Sequence, residues 1–434
     1  MRRLSLRLFL IPFCTVALFA QVEDLGSSDA KVREKAVESL GEKGQKSQAP
    51  ANVVCEALTK TVRDPAAEVR EKTVIALIKT GSQYCQEPLR LATGDANPDI
   101  QSLAVDGLVN FYAPGYVKFG WLNSVKAFGS DLKNRFRDPE PLVVGASVKP
   151  FPEDIAAITK LISGGSSMES RANAARAVGI LRGQQAIPEL LKGLQSPDKE
   201  VTLESINALG KIRDISVGPK MTFLLGSGDK DVQIAAAEVL GNLRTKEAIQ
   251  GLEQLVRSGK KDVQRTALTA LAKIPDNGQE KLFLLYLRDK DEKLRAAAAE
   301  GVGRGGNKAD LDTINDAFAE EKKETARLSM AFAAVSLGDL SKLQYLVDGL
   351  NSSFRRLEAR PFLVELARDP QVLTELYTPL TSGTQDQKIH LAYVISLSGT
   401  RESEPHLKRL TTDADPKVAE EAIRSLKNLQ ARLG

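Results

Sequence analysis

Histidine is almost missing from this chain: only His390 and His406 occur in 434 residues. Cysteine appears three times and tryptophan once. A protein zinc site gathers about four Cys, His or carboxylate ligands. Here the two histidines lie far along the chain from Cys55 and Cys85, so no zinc cluster is expected. No Ser-His-Asp or Cys-His arrangement has a sequence signature either. Gly164-Gly165 and the Gly303–Gly306 stretch lack the following Lys-Ser or Lys-Thr of a phosphate-binding loop. No catalytic residue, metal or cofactor is therefore expected.

An excess of charge is missing too. The formal net charge is +4, from 60 basic and 56 acidic residues. Three of the cations are Arg2, Arg3 and Arg7, at the extreme N-terminus. Beyond them the chain is close to neutral and carries no polybasic block, which argues against nucleic acid or an anionic membrane surface as partner. Aromatics make up only 5% against 42% apolar residues in all. A core of small and aliphatic side chains between closely packed helices gives that profile.

Residues 1–20 read MRRLSLRLFLIPFCTVALFA. A basic start precedes an apolar run from Leu8 to Phe19, too short to span a bilayer comfortably. The segment reads as a signal peptide with Ala20 before the cut and Gln21 as the first mature residue. The expected location is periplasmic or secreted, with no membrane insertion after cleavage. Only Cys55 and Cys85 remain in the mature chain, and an oxidising compartment permits one disulfide between them. They hold nearly matching places in consecutive repeats. Neighbouring helices pack roughly 8–10 Å apart and a disulfide needs Cα atoms within about 7 Å. A bridge and two small buried core residues both fit.

The strongest signal is self-similarity. A polar turn rich in Asp leads to an apolar anchor, then to small or apolar residues four and eight positions later. Anchors fall at Val32, Val69, Ile100, Val201, Val232, Val263, Leu294, Ala326, Ile389 and Val418, with Ser170 as a degenerate member. The period over much of the chain is 31 residues, as from Val201 to Val232 to Val263 to Leu294. Val232, Ala236, Leu240 and Leu243 share one helical face. Asp64-Pro65, Asn97-Pro98, Ser196-Pro197 and Asp415-Pro416 read as N-cap plus first-turn proline. Gly41, Gly179, Gly210, Gly241 and Gly303 read as C-caps. A second amphipathic stretch lies between these helices, so each repeat is a helical hairpin that needs neighbours to bury its apolar face. Glu358, Phe362 and Leu366 trace a faint repeat between Ala326 and Ile389. The 70 residues from Ile100 to Ser170 hold an extra repeat or an insertion.

This pattern resembles the short HEAT-like repeats of the phycobilisome-lyase type. The resemblance rests on motifs such as Asp29…Val32-Arg33…Ala36…Leu40-Gly41 and Asp291…Leu294-Arg295…Ala298…Val302-Gly303, and covers nearly all of residues 22–434. It implies an all-α fold, an α-solenoid of stacked helical hairpins in the armadillo-like manner. It implies function poorly, since such repeats serve bilin lyases, di-iron hydroxylases and binding scaffolds. The hydroxylases carry several His-Glu dipeptides; here His390 precedes Leu391 and His406 precedes Leu407.

Arg33, Arg70, Arg171, Arg295 and Arg327 each follow an anchor and are expected to form an Asp–Arg ladder along the stack. The atypical segment is 111–136, with seven of the chain's 22 aromatics and its sole tryptophan. Tyr112, Tyr116, Phe119 and Trp121 either fill an irregular core or form a binding site. The organisation is thus a signal at 1–20, repeats at 21–110, an aromatic-rich repeat or insertion at 111–152, and repeats at 153–434. The expected function is an exported, non-catalytic scaffold for a protein or peptide. The alternative is an enzyme, or an enzyme's partner subunit, of the lyase or hydroxylase class. Mass spectrometry of the protein recovered from the native cell envelope or medium should find Gln21 at the N-terminus; a chain retaining residues 1–20 would make the segment an anchor.

Overall fold

The computed structural model describes residues 20–117, 142–145 and 147–434. Residues 1–19 of the expected signal segment 1–20, and the aromatics Phe119 and Trp121, lie outside the described residues. Among those described there is no β-strand, and no helix is long and apolar enough to cross a membrane. The chain divides into two compact units, Met1–Met221 and Thr222–Gly434.

In the first unit long and short helices alternate: α1 (Ala30–Gln45), α2 (Ala51–Thr59), α3 (Ala67–Thr80), α4 (Gln86–Ala92), α5 (Pro98–Tyr112), α6 (Pro152–Gly164), α7 (Met168–Ile180), α8 (Ile187–Gly193), α9 (Lys199–Ile212) and α10 (Gly218–Met221). In the second unit follow α11 (Lys230–Asn242), α12 (Ile249–Ser258), α13 (Lys261–Lys273), α14 (Glu280–Tyr286), α15 (Glu292–Gly305), α16 (Leu311–Glu320), α17 (Glu324–Ser336), α18 (Leu343–Gly349), α19 (Arg356–Leu366), α20 (Pro370–Ser382), α21 (Gln385–Ser398), α22 (Glu404–Leu410) and α23 (Pro416–Leu433). The odd-numbered helices are those that begin at the anchors, except that α6 and α7 keep this order after the long segment. Within each unit every anchor-bearing helix packs on the next one. The fold is an all-α solenoid.

The anchors and their fourth-residue partners are core. Val69, Ile100, Val201, Val263, Leu294 and Val418 are buried, as are Ala104, Ala174, Ala236, Ala267, Ala298 and Ala422. The faint repeat is α19, whose Ala359, Phe362, Leu363 and Leu366 are all buried. In α21 the buried early residue is Gln387, which closes a capping box with Thr384, while Ile389 is only partly buried. The anchor there lies two residues before the expected one.

The repeat glycines are not caps. A Cβ on Gly241 would lie 2.7 Å from Ala270 Cα, one on Gly179 would lie 2.6 Å from Ala208 Cα, and one on Gly303 would lie 2.7 Å from Ala333 Cα. Gly41 meets Ala76 in the same way, and Gly210 also sits inside its helix. These glycines are interior residues at which successive helices touch backbone to backbone. The helix ends are made one turn later, by residues in the left-handed conformation. Gly81, Gly306 and Gly338 hold this place at φ 62°, 73° and 111°. Arg182, Arg213 and Arg244 hold it in other repeats, at φ 53°, 62° and 55°. A side chain in that conformation costs roughly 1–2 kcal/mol that glycine avoids.

The proline pairs also divide. Asn97 and Asp415 cap helices whose first residue is the following proline. At Asp64-Pro65 and Ser196-Pro197 the helix starts later, after Ala66 and Asp198. Asp64 instead accepts the Ala66 N–H at 2.9 Å, which frees its other oxygen for a neighbour.

Helix α5 packs directly on α7, and α4 on α6. The described residues between Tyr112 and Pro152 are pinned: Val117 N–H donates to Asn110 Oδ1 at 2.9 Å, and Val144 N–H to the Ile180 carbonyl at 3.0 Å.

Gly241→Ala should destabilise the protein by about 1–3 kcal/mol, the usual cost of overpacking, instead of gaining the roughly 1 kcal/mol of an exposed helical Gly→Ala. Gly305→Ala, where nothing lies within 4 Å, is the control and should be neutral or stabilising. Urea denaturation of the two variants checks both signs.

Candidate functional site

The residue after six of the anchors does one common job. Arg33, Arg70 and Arg295 donate from Nη1 to the carbonyl six residues earlier, of Ser27, Asp64 and Asp289, at 2.7, 2.8 and 2.8 Å. Arg171 Nε reaches the Gly165 carbonyl at 3.0 Å. Gln101 and Thr202 do the same to Asp95 and Ser196, at 2.7 and 3.2 Å. The position requires a donor long enough to reach a carbonyl that the turn leaves unpaired. Arginine is one solution among several.

Three of these arginines also form a fork with an acid in the next repeat. Arg33 Nε lies 2.6 Å from Asp64, Arg70 Nε 2.6 Å from Asp95, and Arg295 Nε 2.6 Å from Glu321. Arg171 and Arg327 depart from the expected ladder. Ser196 stands where Arg171 would need an acid, and Arg171 keeps only its carbonyl. The Arg327 guanidinium lies over the rings of Phe318 and Tyr345, at 4.8 and 5.2 Å. The reading of the sequence missed two rungs. Arg265, two residues after its anchor, reaches Asp291 at 2.5 Å, and Lys388 reaches Asp413 at 2.9 Å.

Cys55 and Cys85 are both buried and joined by a disulfide, with Cα atoms 5.0 Å apart. The bridge ties α2 to the short 3₁₀ turn Gln83–Cys85 before α4. Closing a loop of 30 residues corresponds to about 3–4 kcal/mol in the chain-entropy account.

Tyr112 is held inside the junction between α5 and α6. Its hydroxyl donates to Asp154 at 2.6 Å and accepts from Gln86 Nε2 and the Phe151 N–H, at 3.0 and 2.9 Å. Arg90 lies 2.5 Å from the same buried Asp154. Burial, then the Asp154 carboxylate, pushes the Tyr112 phenol well above its usual range. Tyr112 thus fastens the start of α6 to α5. Tyr116 is half-buried and its hydroxyl interacts with Arg176, which is itself 3.4 Å from Glu204. Of the four aromatics singled out, the two described ones therefore have internal partners.

Apolar side chains also stand exposed on two neighbouring helices of the second unit. Leu357 on α19 is 70% exposed, and Tyr393 and Leu397 on α21 are 37% and 45% exposed. Arg360 lies over the Tyr393 ring at 4.7 Å, and Arg356 donates to His390 Nε2 at 2.5 Å, so the two helices are joined beside this face. Receiving that bond requires a neutral imidazole. Burial first, and then Arg356, hold the His390 pKa below its ordinary value. His406 stacks on Tyr377 with ring centroids 3.8 Å apart. Among the described residues no group of three or more His, Cys, Asp or Glu is placed to hold a metal ion.

Comparison with known proteins matches the HEAT repeats family at residues 155–226 and 218–282. Residues 155–282 thus carry HEAT repeats. Among solved structures an engineered protein is 21% identical, with 95% of this chain and 98% of that one covered and a TM-score of 0.35. The karyopherin Kap121p, solved bound to the extreme C-terminus of the protein phosphatase Cdc14p, is 12% identical, with 97% and 58% covered and a TM-score of 0.47. YIBA_ECOLI is 13% identical, with 69% and 96% covered and a TM-score of 0.42. No curated protein matches the sequence.

The arginine–acid ladder and the buried glutamates make stability pH-dependent in two directions. For Asp64 and Glu321 burial acts upward, but the arginine forks and backbone N–H groups outweigh it and hold both below the usual carboxylate range. The Arg265 bond holds Asp291 far below it. Their contribution is present above the unfolded carboxylate pKa and is lost as pH falls through the folded values. Burial instead raises Glu71, Glu238 and Glu358, whose protonation favours the folded state. His390 and His406, whose folded pKa values burial lowers, act against these glutamates as pH falls through the unfolded imidazole range, so stability should change little between pH 7 and about pH 5 and fall steeply below about pH 4. Asp291→Asn should flatten the acid limb in urea titrations.

Proposed function

We propose that this chain is an exported HEAT-repeat scaffold that binds a protein or peptide partner and catalyses no reaction. The observation that carries the binding reading is the face of α19 and α21. Leu357, Tyr393 and Leu397 stand out beside Arg356 and Arg360. Aromatic, aliphatic and arginine side chains grouped on a rigid surface are the composition of interface hot spots. Helix packing holds that surface in place, so a partner meets it with little ordering cost.

Export is supported by the N-terminal segment and by the buried Cys55–Cys85 bridge, a bond that persists in oxidising compartments. The non-catalytic reading is supported by the occupation of the two histidines, one accepting from Arg356 and one stacked on Tyr377. General acid–base work in most enzymes falls to such side chains when they face a cleft.

Cross-linked pull-down from the native envelope or medium tests the reading. The baits are the wild-type chain, a Tyr393→Ala/Leu397→Ala variant and a Tyr116→Ala/Trp121→Ala variant, all of matched helicity. A specific partner held at least about tenfold more weakly by the first variant is expected, the scale of one hot-spot residue. Loss confined to the second variant would move the site to the 111–152 segment. Absence of any specific partner would overturn the scaffold reading.

A further inference from the structure

The second unit carries a pocket lined by three cations and one carboxylate. It has a volume of about 180 Å³ and is lined by Gly241, Asn242, Arg244, Lys273, Arg304 and Glu365. These residues come from the C-terminal ends of α11, α13 and α15, with α19 supplying the one carboxylate.

The carboxylate is already committed. Arg304 forks onto Glu365, with Nε 2.9 Å from Oε1 and Nη2 3.0 Å from Oε2, and also bonds Glu300 at 2.8 Å. The Arg304 guanidinium crosses α17 to do so, lying over the Phe332 ring at 5.0 Å. Lys273 donates to the neutral Asn242 Oδ1 at 2.8 Å and makes no ion pair within 4 Å among the described residues. Burial lowers its pKa, with Glu300 and Glu238 opposing and Arg304 reinforcing. Arg244 has an exposed side chain and makes no side-chain hydrogen bond or ion pair among the described residues. Arg244 therefore faces the pocket without an anion.

Arg244 sits at φ 55°, in the left-handed turn where Gly306 and Gly338 serve later repeats of the same unit and where Arg182 and Arg213 stand in the first unit. What sets Arg244 apart is its place on the pocket beside Lys273 and Arg304. We infer that Arg244, Lys273 and Arg304 form an oxyanion-binding pocket, and that its occupant is a side-chain carboxylate from an acidic segment of a partner protein. Arginine and lysine at a concave, partly desolvated surface bind carboxylates by charge-assisted hydrogen bonds. The occupant rests on the scaffold reading above; the anion chemistry does not.

The glycine-like backbone at Arg244 provides a discriminating variant. Arg244→Gly removes the guanidinium and relieves the backbone, so its melting temperature should hold or rise. Binding of a fluorescein-labelled peptide of eight glutamates would be followed by anisotropy at low salt with the full chain. An otherwise identical peptide of eight glutamines and competition by inorganic phosphate complete the set. Expected are preference for the glutamate peptide, competition by phosphate, and at least about tenfold weaker binding in Arg244→Gly and Lys273→Gln, the size of one charge-assisted contact. Arg213→Gly, at the equivalent turn of another repeat, should bind like the wild type. Equal binding by Arg244→Gly, or no preference for glutamate, would overturn the pocket. Protection by phosphate without peptide binding would overturn the peptide occupant. A pull-down partner retained in full by Arg244→Gly would overturn this inference while leaving the scaffold standing.

Discussion

The distance between one long helix and the next governs each unit, and a glycine facing an alanine sets it. Gly179 against Ala208, Gly241 against Ala270 and Gly303 against Ala333 leave no room for a methyl group. At that spacing backbones touch, and apolar side chains on either side of the contact close over it. The first turn of each helix is then brought beside the polar turn of its successor. That proximity lets Arg33, Arg70 and Arg295 reach an acid one repeat further on. A helix pair opened by one methyl would loosen the core and the forks together, because rigid packing transmits such displacements.

Polar accounting explains most of what surrounds this core. In six repeats the turn before the long helix leaves a carbonyl unpaired, and the residue after the anchor supplies its donor. Arginine, glutamine and threonine all serve. The ion pair is an addition made where the following turn happens to carry an acid. Asn173 against Asp106 and Arg176 against Glu204 settle further buried polar groups between neighbouring helices. Against that economy, a few places stand out by not being settled internally. They are the apolar face of α19 and α21 and the unpaired Arg244 in the turn after α11. Both are held by packed helices, which is where a binding surface gains from preorganisation.

The hairpin period, the anchors, the alanines and the all-α class were readable because a 3.6-residue pattern repeated many times is hard to mistake. The faint repeat at Glu358, Phe362 and Leu366 was readable for the same reason, and it is α19. The glycines were legible as special but were given the wrong job. A sequence shows that a position excludes a side chain, and both a left-handed turn and a backbone contact do that. The exposed apolar face was illegible. Leu357, Tyr393 and Leu397 keep helical spacing and look like core until the neighbouring helix is seen to leave them uncovered. Tyr112 failed in the opposite sense: an aromatic in an odd segment looked available, and Asp154, 42 residues away, holds it.

The sequence by itself determined that this chain repeats a helical hairpin and that no hairpin can stand alone, because local periodicity decides which face of each helix is apolar. Tertiary structure alone decided that α5 packs directly on α7, and that Cys55 and Cys85 meet. It alone decided which arginines have acids and which side chains have no neighbour. Each of these depends on the distance between residues far apart in the chain, which is fixed by how helices pack and by no property of the residues taken singly.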